Sequence, residues 1–373
     1  MSAPSSQVPV SILTGFLGAG KSTLLNRVLK DPEMADTAVI INEFGEVGID
    51  NLLVESSGDT LVELANGCLC CTVRGELVDT LAAMMDGIQT GRLKPVRRVV
   101  IETTGLADPA PVMQSVMGHP VIAQNFTLDG VVTVVDAVNG LQTLERHLEA
   151  VKQVAVADRL IVSKAGMAGA PQAALLRKRL RDLNPRAPVM DGDAPETATA
   201  AVLVNGLYDP ATKIPDVDRW LRDEMANDAH SHHHHHGHHH HRNDVNRHGD
   251  DIRSFSIVHD KAIDPAAIEM FVDLLRSAHG EKLLRMKAVV ALSDDPERPL
   301  VLHGVQNIFH PPQRFKAWPS GSDRRTRMVL ITQGLPEAFV ANLFSAFTGQ
   351  PRVDQPDRAA LEHNPLVVPG LRM

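Results

Sequence analysis

Aromatic residues, cysteines and long hydrophobic runs are all scarce in this chain, and each scarcity removes a class of function. Phe, Trp and Tyr make up 3% of the 373 residues, too few for the stacking platforms that hold single-stranded nucleic acid. No basic run occurs and the formal net charge is -8, so the clustered Lys and Arg that phosphate backbones require are missing. Nucleic acid is therefore not expected as a partner. No apolar stretch approaches the ~20 residues of a membrane span, so a membrane is not expected either. The first charged residue is Lys21, which leaves no basic region of a secretory signal before it, and a cytoplasmic chain is expected. The 3 cysteines then suit metal or redox chemistry better than disulfides. An apolar fraction of 43% and a charged fraction of 22% are ordinary for a globular protein, and the length allows two domains with sizeable cores.

What is present is organised around residues 15–23, which read G-F-L-G-A-G-K-S-T. The stretch fits the phosphate-binding pattern G-x-x-x-x-G-K-[ST] through Gly15, Gly20, Lys21 and Ser22. An apolar run at 8–13 reads as a buried strand before it. Residues 21–29 have helical spacing after it, stopped by Asp31-Pro32. Glycines let backbone N–H groups turn toward phosphate oxygens, and the helix start adds the positive end of its dipole. Lys21 would reach the outer phosphates, and the Ser22 hydroxyl would hold Mg²⁺. A glycine-rich turn before an ordinary helix is the bland alternative, which the ordered sequence of strand, loop, Lys-Ser and helix disfavours.

Strand-like runs at 38–42, 96–102, 131–136 and 160–163 alternate with helical stretches at 76–88, 112–117, 141–154 and 173–183. That alternation predicts an α/β fold of the P-loop nucleotide-hydrolase type: a parallel sheet with helices on both faces. Such sheets bind ligands at the carboxyl ends of their strands, where the loop at 15–20, Asn42, Glu102, Asp136 and Ser163 all fall. Composition shifts abruptly near 228–251, which holds most of the chain's 18 histidines. This reads as a linker too polar to build a core. Beyond it, strands at 252–259, 283–292, 300–305 and 328–332 and helices at 265–278 and 336–347 predict a small α+β domain. The expected division is 1–215, a His-rich linker at 216–250, a second domain at 251–349, and a tail at 350–373.

Residues 67–71, G-C-L-C-C, hold every cysteine of the chain. Thiolates are preferred ligands of Zn²⁺ and similar ions, and in a loop Cys68, Cys70 and Cys71 could converge on one ion. Buried small hydrophobes or a redox pair at Cys68 and Cys71 are the alternatives. Glu102 ends a strand in I-E-T-T-G, where P-loop enzymes place an acid that holds Mg²⁺. Glu43 and Glu46, in N-E-F-G-E-V-G, occupy the usual place of a nucleotide-sensing loop and could meet Mg²⁺, orient the attacking water or contribute to the metal site. Ser163-Lys164-Ala165-Gly166 stands where GTPases often carry N-K-x-D. Ser163 and Lys164 are read as the base side of the nucleotide site, but the acid that selects guanine is replaced by Gly166. The run of His232, His233, His234, His235 and His236, then His238, His239, His240 and His241, reads as accessory metal buffering, since neutral imidazoles bind divalent transition metals.

The set of G-F-L-G-A-G-K-S-T, N-E-F-G-E-V-G-I-D, G-C-L-C-C, E-T-T-G-L-A-D-P and S-K-A-G resembles the CobW family of metal-handling P-loop GTPases, related to UreG and HypB. V-L-H-G-V-Q at 301–306 and Trp318-Pro319 resemble that family's C-terminal domain. The resemblance implies Gly18, Ala19, Gly20, Lys21, Ser22 and Thr23 on the phosphates and Mg²⁺. It implies Glu102 as the acid of the second nucleotide motif, and Cys68, Cys70 and Cys71 as zinc ligands. The expected function is a GTPase metallochaperone that uses GTP and Mg²⁺, binds Zn²⁺ or Co²⁺, and hands the ion to a client apo-metalloprotein. Lys21, Glu102 and Glu43 are the expected catalytic set, and the reading is compatible with a homo-oligomer. A cobalt chaperone for cobalamin synthesis, an activator of an enzyme such as nitrile hydratase, and a nucleotide-responsive metal store or sensor are the alternatives.

Overall fold

A computed structural model describes residues 7–42, 61–63, 69–185, 187–204, 251–310, 312–318 and 322–349. Its first half is a seven-stranded sheet in the order β3-β2-β4-β1-β5-β6-β7. The strands are β1 (Val8–Thr14), β2 (Thr37–Asn42), β3 (Leu61–Glu63), β4 (Arg98–Thr103), β5 (Phe126–Asp136), β6 (Arg159–Ser163) and β7 (Val189–Asp191). Every pairing among them is parallel. Helices α1 (Lys21–Val28), α2 (Leu69–Gln89), α3 (Ala110–Gly118), α4 (Pro120–Asn125), α5 (Gly140–Arg146), α6 (Leu148–Ala155), α7 (Ala165–Ala168) and α8 (Ala170–Leu183) connect them.

Side chains alternate across each strand, so β1 sends Val10 and Ile12 into one core and Leu13 into the other. The first core takes α2, α3, α6 and α8; the second takes Leu24, Leu25 and Val28 of α1. Burial on both faces is why these strands read as apolar runs rather than alternating ones.

The structure departs from the sequence pattern in instructive places. Helix α2 starts at Leu69 rather than at 76, running through Gly75. The helix carries Gly75 in its interior, which costs about 1 kcal/mol relative to Ala. Cys70 and Cys71 therefore lie on the first turn of a helix, not in a loop. The single helix expected at 141–154 is two, α5 and α6, separated by His147 in extended backbone with its ring 4.5 Å from that of Phe16. Strand β7 is too short, at three residues, to leave a periodic trace.

The second half is a six-stranded sheet. It contains β8 (Ile252–His259), β9 (Leu283–Val290), β10 (Leu300–Val305), β11 (Ile308–Phe309), β12 (Gln313–Arg314) and β13 (Thr326–Gln333), paired antiparallel. Two helices, Pro265–His279 and Glu337–Phe347, share a core with it through Phe271, Leu275, Val340 and Phe344. Asp264 starts the first helix by accepting the Ala266 N–H at 2.8 Å.

The two sheets are joined by packing and by charge. Ile252, Leu284, Val305 and Ile331 of the second belong to the same buried cluster as Val154 and Leu180 of the first. Asp158, just before β6, meets Arg285 and Lys287 of β9, each at 2.5 Å, and accepts the Val131 N–H at 2.9 Å. Burial alone would raise the Asp158 carboxyl. The two cations outweigh it and hold the group well below the ordinary carboxylate range.

Candidate functional site

The loop between β1 and α1 is built on glycines that nothing else could replace. Gly15 has φ 143°, and a Cβ there would sit 2.2 Å from the Val134 carbonyl oxygen of β5. Gly20 caps α1 in the left-handed region at φ 97°. No acid occupies the first turn of α1, so its free N–H groups and dipole are left for an anion.

Lys21 is buried and folds back over the loop, donating to the carbonyls of Gly15 at 3.0 Å and Phe16 at 3.4 Å. Ser22, also buried, donates its hydroxyl to Glu102 Oε1 at 2.8 Å. This bond joins the phosphate loop to the end of β4. A hydroxyl and a carboxylate side by side form a hard oxygen donor set, which fits Mg²⁺. Thr103 donates to Thr14 at 2.7 Å and ties the two strand ends together.

The loop after Glu102 is held by residues that the sequence reading missed. Buried Gln153 of α6 donates to the carbonyls of Gly105 at 3.1 Å and Ala107 at 3.0 Å. Lys152 pairs with Asp108 at 2.9 Å. A Cβ on Gly105 would sit 2.4 Å from the Leu17 backbone nitrogen, so this loop lies directly against the phosphate loop. Polar residues on an otherwise apolar helix face were the only available signal for Gln153.

On the other side, Ser163 donates to Ala19 O at 2.6 Å. Lys164, left-handed at φ 56°, donates to Gly18 O at 2.8 Å and to Asp136 at 2.9 Å. Burial would raise the Asp136 carboxyl, but hydrogen bonds from Lys164, the Val138 N–H and Asn139 hold it below its ordinary value. The structure thus brings Gly15, Gly18, Ala19, Gly20, Lys21, Ser22, Glu102, Ser163 and Lys164 to one edge of the sheet, with Thr23 on the first turn of α1. Cys70 and Cys71 begin α2, which leads into β4 and Glu102. Glu43, Glu46, Cys68 and the histidines at 232–241 lie outside the described residues.

With this geometry in hand, comparison with known proteins is decisive. Residues 9–191 match the nucleotide-binding domain of CobW/HypB/UreG, and 252–348 match the cobalamin synthesis protein CobW C-terminal domain. The chain is 32% identical to the zinc chaperone YjiA of Escherichia coli over 341 residues, covering 91% of this chain and 98% of the relative. It belongs to the CobW family. A further relative, the zinc chaperone CobW of a Sinorhizobium species, is 29% identical over 379 residues, with 93% and 98% covered. The fold is similar to the crystal structure of Zn(II)-bound YjiA GTPase from E. coli, with a TM-score of 0.63 at 28% identity over 92% of this chain and 99% of that one. The CobW-type C-terminal domain is the antiparallel half described above.

Proposed function

We propose that this CobW-family chain is a GTP-hydrolysing zinc chaperone that binds Zn²⁺ and passes it to a client metalloprotein. One observation carries the reading. The Ser22–Glu102 bond closes the nucleotide site, and β4, which carries Glu102, is the next element after α2, whose first turn carries Cys70 and Cys71. The nucleotide and cysteine sites are thus two ends of one α2–β4 unit. The Zn(II)-bound relative and the zinc chaperones of similar length support the choice of cargo.

In this reading Ser22 and Glu102 would hold Mg²⁺, which when bound would supply positive charge to offset that on the transferring phosphoryl group. Lys21 leaves the Gly15 carbonyl for the outer phosphates and adds a second positive charge there. Water is the nucleophile, oriented by Glu43 or Glu46. Cys68, Cys70 and Cys71 hold the cargo ion as thiolates, with the histidines at 232–241 as a local reservoir. Hydrolysis changes the loops beside Glu102, lowers zinc affinity and releases the ion to the docked client. The division into 1–215, 216–250, 251–349 and 350–373 is part of this proposal, as is a cytoplasmic setting with no nucleic acid or membrane partner. Among the described residues no helix is long and apolar enough to cross a membrane.

The test is metal-resolved native mass spectrometry of protein purified without a nickel column, with and without a non-hydrolysable GTP analogue, alongside phosphate release. Bound zinc that depends on the nucleotide state is expected. Protein that hydrolyses GTP while its zinc content ignores the nucleotide would remove the coupling.

A further inference from the structure

Position 166, where N-K-x-D enzymes read guanine with a carboxylate, is glycine here, and a Cβ added at Gly166 would meet nothing within 4 Å. The lysine of that motif is in place. Lys164 holds the left-handed conformation, and its ammonium grips Gly18 O and Asp136, so its stem lies along the shoulder of the phosphate loop. What is missing is an acceptor for the N1–H and 2-amino donors of guanine. Asp182, the next acid along the chain, is spent on Lys178 of the same helix at 2.8 Å.

We propose that Asp193, on the turn that leaves β7, supplies the carboxylate that reads the guanine edge. The inference rests on the reading of this chain as a GTP-hydrolysing protein. Strand β7 pairs with β6 so that Asp191 lies opposite Val162, and the turn that follows, Gly192 and Asp193, leaves the sheet at the end of β6 that carries Ser163. The Gly192 N–H donates to Val162 O at 2.7 Å. A Cβ on Gly192 would lie 2.9 Å from that oxygen and 3.1 Å from the Ser163 Cα. Glycine therefore lets the turn sit flush against the strand end that carries Lys164.

The turn is also fixed. Asp191 accepts the Asp193 N–H at 3.0 Å and an Arg177 N–H at 3.0 Å, and Arg27 donates to Gly192 O at 2.5 Å. The Asp191 carboxylate is thus committed to structure. That of Asp193 is exposed and has no side-chain partner among the described residues. A carboxylate at this place accepts from both guanine donors. Adenine offers only an acceptor at N1 and no 2-amino group, so it leaves the carboxylate unpaired.

The experiment is competition for a fluorescent GTP analogue by GTP, ATP and XTP on the full chain, with Mg²⁺ present. Xanthine carries a carbonyl where guanine carries the 2-amino group, so an amide at 193 should favour it. The wild type is expected to prefer GTP to ATP. Asp193→Asn should weaken GTP about ten- to hundredfold, the loss of a charged hydrogen-bond acceptor, and should bring XTP above GTP. Gly166→Asp in the Asp193→Asn background should return the preference to GTP. Thermal unfolding without nucleotide should be unchanged in Asp193→Asn, because the side chain is exposed. A GTP-selective wild type whose preference survives Asp193→Asn overturns the assignment and leaves the GTPase reading standing. A wild type that binds no guanine nucleotide overturns both.

Discussion

Ser22 at the first turn of α1 donates its hydroxyl to Glu102 at the end of β4 across 2.8 Å, joining motifs that lie 80 residues apart. Neither residue is exposed, so the pair is held rather than sampled. It defines where the metal-bound phosphates of a nucleotide have to sit, and the first prediction follows from its neighbour.

Lys21→Ala should lower the rate of GTP hydrolysis by about 10²–10³-fold, because it removes a preorganised positive charge at the transferring phosphoryl group. Thermal stability should change less than the rate does, since the bonds of Lys21 to Gly15 O and Phe16 O stay within its own loop. Single-turnover phosphate release measures the effect. A variant hydrolysing at the wild-type rate would place the chemistry elsewhere.

Replacing Cys68, Cys70 or Cys71 by Ser should each weaken Zn²⁺ binding by orders of magnitude, since the thiolate is the ligand and binding releases protons. Chelator competition on a chain lacking residues 231–242 isolates this site from the histidines. Equal affinities in all three variants and the wild type would end the thiolate assignment.

Deleting residues 231–242 should reduce the number of ions bound near pH 7.5 and leave the tight site and basal hydrolysis intact. The difference between the two chains should vanish about one pH unit below the imidazole pKa of ~6.5. A metal titration at both pH values decides it. Loss of the tight site on deletion would make histidine a primary ligand.

Asp158→Asn should destabilise the chain by about 3–5 kcal/mol, because Arg285 and Lys287 would face each other without their shared anion. Differential scanning calorimetry reads the shift in midpoint. The carboxyl is held low in the fold, so its contribution is present above the unfolded value near ~3.9 and fades as pH drops through that value toward the folded one. A midpoint within error of the wild type would mean that the Asp158 ion pairs contribute nothing to holding the sheets together.

Stability should also fall as pH drops below ~6.5 because of His303. Loss of hydration, then the Lys287 and Arg285 cations, pushes its pKa well below the ordinary imidazole value. The ring stays neutral in the fold while the unfolded chain takes up a proton, so stability is full above ~6.5 and declines below it by up to about 1.4 kcal/mol per pH unit. His303→Gln should flatten the profile between about pH 6.5 and 5. An identical slope in the variant would assign the acid sensitivity to other groups.

The strand ends were legible in the sequence for a physical reason. Strands buried on both faces run largely apolar toward the carboxyl edge, so Asn42, Glu102, Asp136 and Ser163 stand out as the polar residues that follow each apolar run. The second domain was legible because its helices and long strands carry strong periodicity. What closes the site was not. Gln153 reaches Gly105 across 48 residues and Arg285 reaches Asp158 across 127, and no local pattern encodes either pairing. The break at His147, whose ring lies against that of Phe16, and the start of α2 ahead of Gly75 both run against local propensity.

The shared cluster between the sheets has a practical consequence for anyone who cuts the chain. Ile252, Leu284, Val305 and Ile331 shield apolar surface of the nucleotide-binding half, while Gln306 and Ile308 bear on α3 through Gln114 and Gly118. A fragment ending before residue 251 would expose that surface to water together with the anionic Asp158, and solvent-exposed apolar scars of this kind invite self-association. Its kinetics would then report an aggregating half-molecule whose helix α3 has lost its contacts with Gln306 and Ile308, so the intact chain is the right object for every rate measurement.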